Sequence, residues 1–151
     1  MSDDEKRRGA AEEVWRRMFG FVMYTRPQRD EVLRRLGLTP NEARSLFSLD
    51  GERSRTMKEL AAIWRCDAST ATWNVNRLEQ LGLAERRAHP GDRRVRRVVL
   101  TERGVATKAA LLEGMYALPP ALLELSTEQL RTLDEILARL PAGLDEVAET
   151  G

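Results

Sequence analysis

Six arginines and a single acid fall between Arg86 and Arg97, in the stretch RRAHPGDRRVRR. The chemistry open to such a cluster is the neutralisation of a polyanion. Like charges on adjoining strands destabilise a hairpin unless a partner offsets them. Nucleic-acid phosphate does so, with release of its condensed counterions, and a narrow minor groove also draws arginine in. A solvated hairpin is the plain alternative, and it leaves the repulsion in place. Arg93 and Arg94 stand at the turn, where direct contact is expected. Asp92 suits a bidentate pair that fixes the turn, and Arg86 and Arg96 support the hairpin from its two strands.

A second set of residues stands upstream, in DASTATWNVNRLEQLG. At 100° per residue Ala71, Val75 and Leu78 share a narrow sector that should face a core. Ser69, Thr72, Trp73, Asn76 and Gln80 gather opposite, flanked by Thr70, Asn74 and Arg77. The wet face of an ordinary surface helix carries Lys and Glu; this one carries hydroxyls, amides and an indole, with no acid until Glu79. Asn and Gln can bond adenine edges, Ser and Thr can serve bases or phosphates, and apolar surface can meet a thymine methyl. The helix start favours an anion, and Asp67 reads as its N-cap. The plain alternative is a neutral exposed helix with Trp73 tucked into a neighbouring core.

The elements that must position these residues are marked by capping boxes. Thr39-Pro-Asn-Glu42, Thr56-Met-Lys-Glu59 and Ser126-Thr-Glu-Gln129 each pair a hydroxyl with a longer side chain three residues on, the pattern of a helix start. Trp15, Met18, Phe19 and Val22 predict an amphipathic helix over about 9–24. Pro27 interrupts it, and a short helix over about 28–36 ends at Gly37. Helices over about 41–49 and 57–64 flank the connection DGERSR, and a turn at Arg65-Cys66-Asp67 leads to the helix over about 68–81. Gly82 suits the position after its C-cap. Residues 83–88 and 94–100 read as strands joined by a Pro-Gly turn. The run VVL fits either alternation or complete burial. A helix from about 102 is broken by Pro119-Pro120, and the last, over about 127–147, is bent or interrupted by Pro141.

This order is a winged helix-turn-helix: mainly α with a small β wing, flanked by N- and C-terminal helices. The flanking apolar stripes exceed what so small a unit needs, so they should pack on each other or on a second subunit. At 151 residues the chain is long enough for one domain. Charge is unevenly spread. Residues 52–103 carry 12 basic and 7 acidic side chains, a net +5, while 104–151 carry 3 and 8, a net −5. A basic face for a polyanion is thereby set apart from an acidic end. No apolar run approaches the ~20 residues of a membrane span, and the charged start lacks a signal-peptide core, so a cytoplasmic location is expected. One cysteine and one histidine exclude an internal disulfide and the usual Cys/His zinc sites. With no Gly-rich phosphate loop and no nucleophile–histidine set, no catalytic residue, cofactor or metal is expected. A winged-fold protein-interaction module is the competing class, and such a protein should lose basic wing residues rather than gain them.

LTPNEARSLFSL, TMKELAAIW, DASTATWNVNRLEQLGLAERR and GDRRVRRVVLTERG resemble, in order and spacing, successive segments of the multiple-antibiotic-resistance regulator (MarR) family of bacterial transcription factors. The resemblance runs across residues 36–104, and the flanking helices match in layout only. Its most specific part is Asp-x-Arg followed by Leu-Thr-x-x-Gly, here Asp92, Arg94, Leu100, Thr101 and Gly104. It implies a homodimer with an interface built by residues 1–38 and 102–151 around a DNA-binding lobe at 39–101, one continuous domain. Trp15, Phe19, Val22, Leu130, Leu133, Leu137 and Leu140 would line that interface. Each recognition helix would enter a major groove of a pseudo-palindromic operator in double-stranded DNA, and each wing an adjacent minor groove. Groove-reading positions fall on Ser69, Thr70, Thr72, Trp73 and Arg77, and the wing-tip arginine on Arg94.

Members commonly repress transcription and release DNA when a small, often phenolic, molecule or an oxidant acts between the lobes. Trp15, Met18, Tyr24, Trp64 and Met115 are candidates for such an effector pocket, although aromatic and Met residues at helical spacing also serve as core. Two residues depart from the family's pattern. Trp73 stands where many members have arginine or another polar residue, and Asn76 where an acid is common. The N-terminal cysteine of the peroxide sensors has no counterpart, since Cys66 lies beside the recognition helix.

Overall fold

The structure, a computed structural model, describes residues 2–89 and 91–141, with only the backbone at 89 and 92–95. Helices α1 (Asp3–Tyr24), α2 (Arg26–Leu36) and α3 (Pro40–Phe47) precede strand β1 (Arg55–Thr56). Then come α4 (Met57–Trp64), α5 (Ala68–Gln80) and the hairpin of β2 (Ala84–His89) and β3 (Asp92–Leu100). Helix α6 (Glu102–Met115), a 3-10 turn (Pro120–Glu124) and α7 (Thr127–Leu137) complete the described chain. This is the expected mainly helical, winged arrangement.

All three expected capping boxes form, each closed in both directions. A fourth, Ser2 with Glu5, starts α1 at Asp3 rather than near residue 9. The first turns of that helix are charged or small, so apolar periodicity cannot locate its true start. Prolines set two helix ends. A proline ring clashes with the carbonyl four residues before it and offers that carbonyl no donor. Pro119 accordingly stops α6 at Met115, and Pro141 stops α7 at Leu137. The last helix is thus shorter than the sequence predicts, and residues 142–147 of that expectation lie outside the described residues.

The sheet is antiparallel, in the order β1-β3-β2. Nothing in DGERSR marks β1 as a strand; it exists because Arg55 and Thr56 pair with Val98 and Arg97 of β3. With β3 central, Val98, Val99 and Leu100 are all buried, which resolves VVL as complete burial. The core also takes Leu46 from α3, Leu60 from α4, and Val75 and Leu78 from α5. Val32 and Leu33 of α2 and Leu111 of α6 belong to the same cluster. Helices α1 and α7 contribute no buried residue.

The Leu-Thr-x-x-Gly run seats α6 on the turn that leaves α5. Thr101 Oγ1 donates to the Gly82 carbonyl at 2.7 Å and accepts from the Gly104 amide at 3.0 Å, while the Thr101 amide donates to Leu83 O at 3.1 Å. Gly104 passes so close that a Cβ there would stand 1.9 Å from the Leu83 carbonyl oxygen. Only glycine fits.

Candidate nucleic-acid interface

Helix α5 sorts its side chains largely as its periodicity predicts. Ala71, Val75 and Leu78 are fully buried, while Ser69, Thr70, Thr72, Trp73, Asn76 and Gln80 are exposed. Trp73 is 55 % exposed, so its indole is not tucked into a neighbouring core. Asp67 caps the helix, accepting from the Thr70 amide at 2.8 Å. The Ser69 hydroxyl donates to the same carboxylate, and the Thr70 hydroxyl does so at 3.0 Å. Those bonds, the Ser69 hydroxyl foremost, hold the Asp67 carboxyl well below the usual range. Thr72 Oγ1 donates to Ala68 O at 2.8 Å. The hydroxyl hydrogens of Ser69, Thr70 and Thr72 are therefore taken up at the helix's own start.

Two positions flanking that face are tied into the protein. Asn74 is buried and accepts from Asn41 Nδ2 at 2.7 Å. Its spacing of i+3 from Ala71 is the signal that places it on the core stripe. Arg77, assigned from sequence to DNA, directs Nε and Nη2 to Glu42 Oε1 at 3.0 and 2.9 Å and Nη1 to Gln80 Oε1 at 2.8 Å. Glu42 itself is only 4 % exposed. Its other oxygen, Oε2, accepts from the Thr39 amide at 2.8 Å in the capping box of α3. Burial pushes the Glu42 carboxyl up, but the Thr39 amide and the Arg77 guanidinium outweigh it, so the net direction is down.

The wing joins α5 through Arg86. Its Nη1 pairs with Glu79, its backbone amide donates to Glu79 Oε1 at 3.1 Å, and its Nη2 donates to Asn76 Oδ1 at 2.9 Å. Arg87 and Arg97 face one another across β2 and β3. Each has its own acid: Arg87 Nε donates to Glu85 at 2.6 Å, and Arg97 Nη2 reaches Glu59 at 3.5 Å and Ser54 O at 3.0 Å. Acids outside the 86–97 stretch thus pair with Arg86, Arg87 and Arg97, which a count confined to that stretch could not reveal. Arg96 is exposed, and the side chains of Asp92, Arg93 and Arg94 lie outside the described residues. The Nε atoms of Arg55 and Arg97 are buried and find no hydrogen-bond partner among the described residues.

Trp15 and Phe19 are largely exposed on α1, their ring centroids 6.3 Å apart, and Val22 is exposed one turn on. On α7, Leu133 and Leu137 are exposed, as is Leu140 just beyond it, and Leu130 is half-buried. The effector candidates do not converge. Trp64 is buried and donates from Nε1 to Ser48 Oγ at 2.5 Å, because it shares the inner face of α4 with Leu60. Tyr24 is exposed and Met18 half-buried on α1. Met115 alone of the set lines a 190 Å³ depression with Thr25, Gln28, Arg29 and Tyr116. Among the described residues no group of three or more His, Cys, Asp or Glu could hold a metal ion, and no helix is long and apolar enough to cross a membrane.

Known proteins repeat this arrangement. A sequence model of the MarR family matches residues 36–95. The HTH-type transcriptional repressor MdtR of Bacillus subtilis (strain 168) is 32% identical over 126 residues, covering 82% of this chain and 78% of that protein. The crystal structure of YusO from Bacillus subtilis superposes with a TM-score of 0.73 at 26% identity, covering 92% of this chain and 96% of the other. A mutant of MepR from S. aureus, solved bound to an oligodeoxyribonucleotide, shares the fold with a TM-score of 0.62 at 20% identity, over 83% of this chain and 94% of its own. The chain belongs to the MarR family.

Proposed function

We propose that the protein is a homodimeric, sequence-specific DNA-binding transcriptional regulator that acts as a repressor. The observation that carries this reading is the α5 face, where Trp73 and the amides of Asn76 and Gln80 stand exposed beside an arginine-bearing hairpin joined to them through Arg86. Ser69, Thr70, Thr72, Trp73 and Asn76 would enter a major groove, with Arg77 at the flank, while Arg93 and Arg94 would follow the adjacent minor groove. A repressor among its relatives and a DNA-bound MepR support the assignment. Residues 39–101 would form the DNA-binding lobe, with 1–38 and 102–151 pairing two copies through the exposed stripes of α1 and α7. The Met115 depression, between the α1–α2 junction and the end of α6, is the place for a small-molecule effector that relieves binding.

A gel shift on the DNA upstream of the protein's own gene, run at several salt concentrations, tests the reading. A salt-dependent complex is expected. Arg94→Ala should weaken it across sequences and reduce the salt slope by about 1, and Arg93→Ala should do so to a lesser degree. Absence of any salt-dependent complex at micromolar protein overturns DNA binding. Phenolic ligands added to the same assay should release the DNA if the effector assignment holds.

A further inference from the structure

We propose that Asn76 and Gln80 meet DNA as hydrogen-bond donors only, because Arg86 and Arg77 hold their carbonyl oxygens inward. This rests on α5 being the DNA-facing helix. A guanidinium carries five donors and no acceptor, so only the oxygen of each amide can face it. Asn76 Oδ1 accepts from Arg86 Nη2 at 2.9 Å, and Gln80 Oε1 accepts from Arg77 Nη1 at 2.8 Å. The two amides lie one turn apart on the exposed face of α5.

Neither arginine is free to let go. Arg86 is three-quarters buried and paired with Glu79, which also accepts from its backbone amide. Arg77 directs two nitrogens to the buried Glu42. An unconstrained Asn or Gln reads adenine with both ends of its amide, accepting from N6 and donating to N7. Each oxygen keeps a second lone pair, but held against its arginine it does not face the groove, and on this proposal that mode is closed. What remains is an acceptor on DNA: guanine O6, the N7 of either purine, thymine O4, or a phosphate oxygen. Arg86 and Arg77 are then positioning residues that set which bases this end of the helix accepts.

Selection of tightly bound sequences from a pool of randomised duplexes by the full-length protein tests the proposal. In the base-edge case, wild type selects a base pair whose preference Asn76→Ala or Gln80→Ala abolishes, and purine in place of any adenine of that pair, which keeps N7 but lacks the N6 amino group, keeps the affinity. In the phosphate case, those variants lose affinity alike on every selected sequence, and a methylphosphonate at the contacted phosphate removes the difference. Either result supports donor-only contact. Asn76→Asp keeps the bond to Arg86 but turns an acceptor outward, so affinity should fall about tenfold or more. Arg86→Met, with an unchanged circular-dichroism spectrum, should make binding at the Asn76 position depend on an adenine N6 amino group, a change that a purely structural role would not produce. A wild-type preference for an A·T pair that depends on Asn76 or Gln80 and is lost when purine, which lacks the N6 amino group, replaces the adenine overturns the proposal, as does Asn76→Asp binding as tightly as wild type. If wild type binds no duplex, the DNA reading fails and takes this inference with it.

Discussion

Glu42 shows how much can rest on one side chain. One oxygen closes the capping box of α3 while the other holds Arg77 of α5, so a single carboxylate both starts α3 and ties it to α5. Glu42→Gln should cost about 1–3 kcal/mol at about pH 7, because it leaves a half-buried guanidinium without its counter-charge. The carboxyl's folded pKa lies below its ordinary 4.5. Its stabilisation is therefore complete above that value and is lost as pH falls through the depressed one. Urea unfolding of wild type and variant should accordingly differ most near neutrality and converge as pH falls below the depressed pKa. Trp73→Ala should do the opposite, leaving stability within about 0.5 kcal/mol while changing the sequences selected from a duplex pool. At this scale the sequence was legible where periodicity alone decides, as for Ala71, Val75 and Leu78. It was silent on the Glu42–Arg77 pair, whose partners are 35 residues apart.

Among elements, the starts were easier to read than the ends. A hydroxyl and an acid at fixed spacing announce a helix, and three such boxes are where the sequence puts them. The boxes of α3 and α4 have a second role, since Glu42 and Glu59 also receive arginines from α5 and β3. Strand β1 was illegible because two residues carry no pattern, and only the finished β3 makes them a strand. The Leu-Thr-x-x-Gly run was visible as a motif, but its reason lies in the contact of Gly104 with the Leu83 carbonyl. Gly104→Ala should therefore destabilise by about 1–3 kcal/mol or more, seen as an earlier thermal transition. Failure to lower the midpoint would mean that α6 can slide on the α5–β2 turn.

For the whole molecule, the near-neutral total conceals a basic middle and an acidic final third. The wing charge was legible, whereas the allocation of Arg86, Arg87 and Arg97 to Glu79, Glu85 and Glu59 depends on which acids the fold brings near. The apolar stripes of α1 and α7 were legible too, and the fold leaves them uncovered. On the proposed dimer, Phe19→Glu combined with Leu137→Glu should yield a monomer by sedimentation velocity, with the near-UV signal of the core retained and operator affinity reduced. A stable dimer from that double variant would place the interface elsewhere. Helix α1 has little of its own to stand on. Its ion pairs, such as Arg8 with Glu12, are exposed and worth about 0.3–0.5 kcal/mol each, while Gly9 and Gly20 lie in its interior and cost about 1 kcal/mol each against alanine. A helix of that kind is marginal in water by itself. Its amide hydrogens should exchange with deuterium far faster than those of α5 in a dilute, unpaired chain, and slow markedly as copies associate. The protection of one exposed helix would then serve as a clock for assembly, readable without any DNA present.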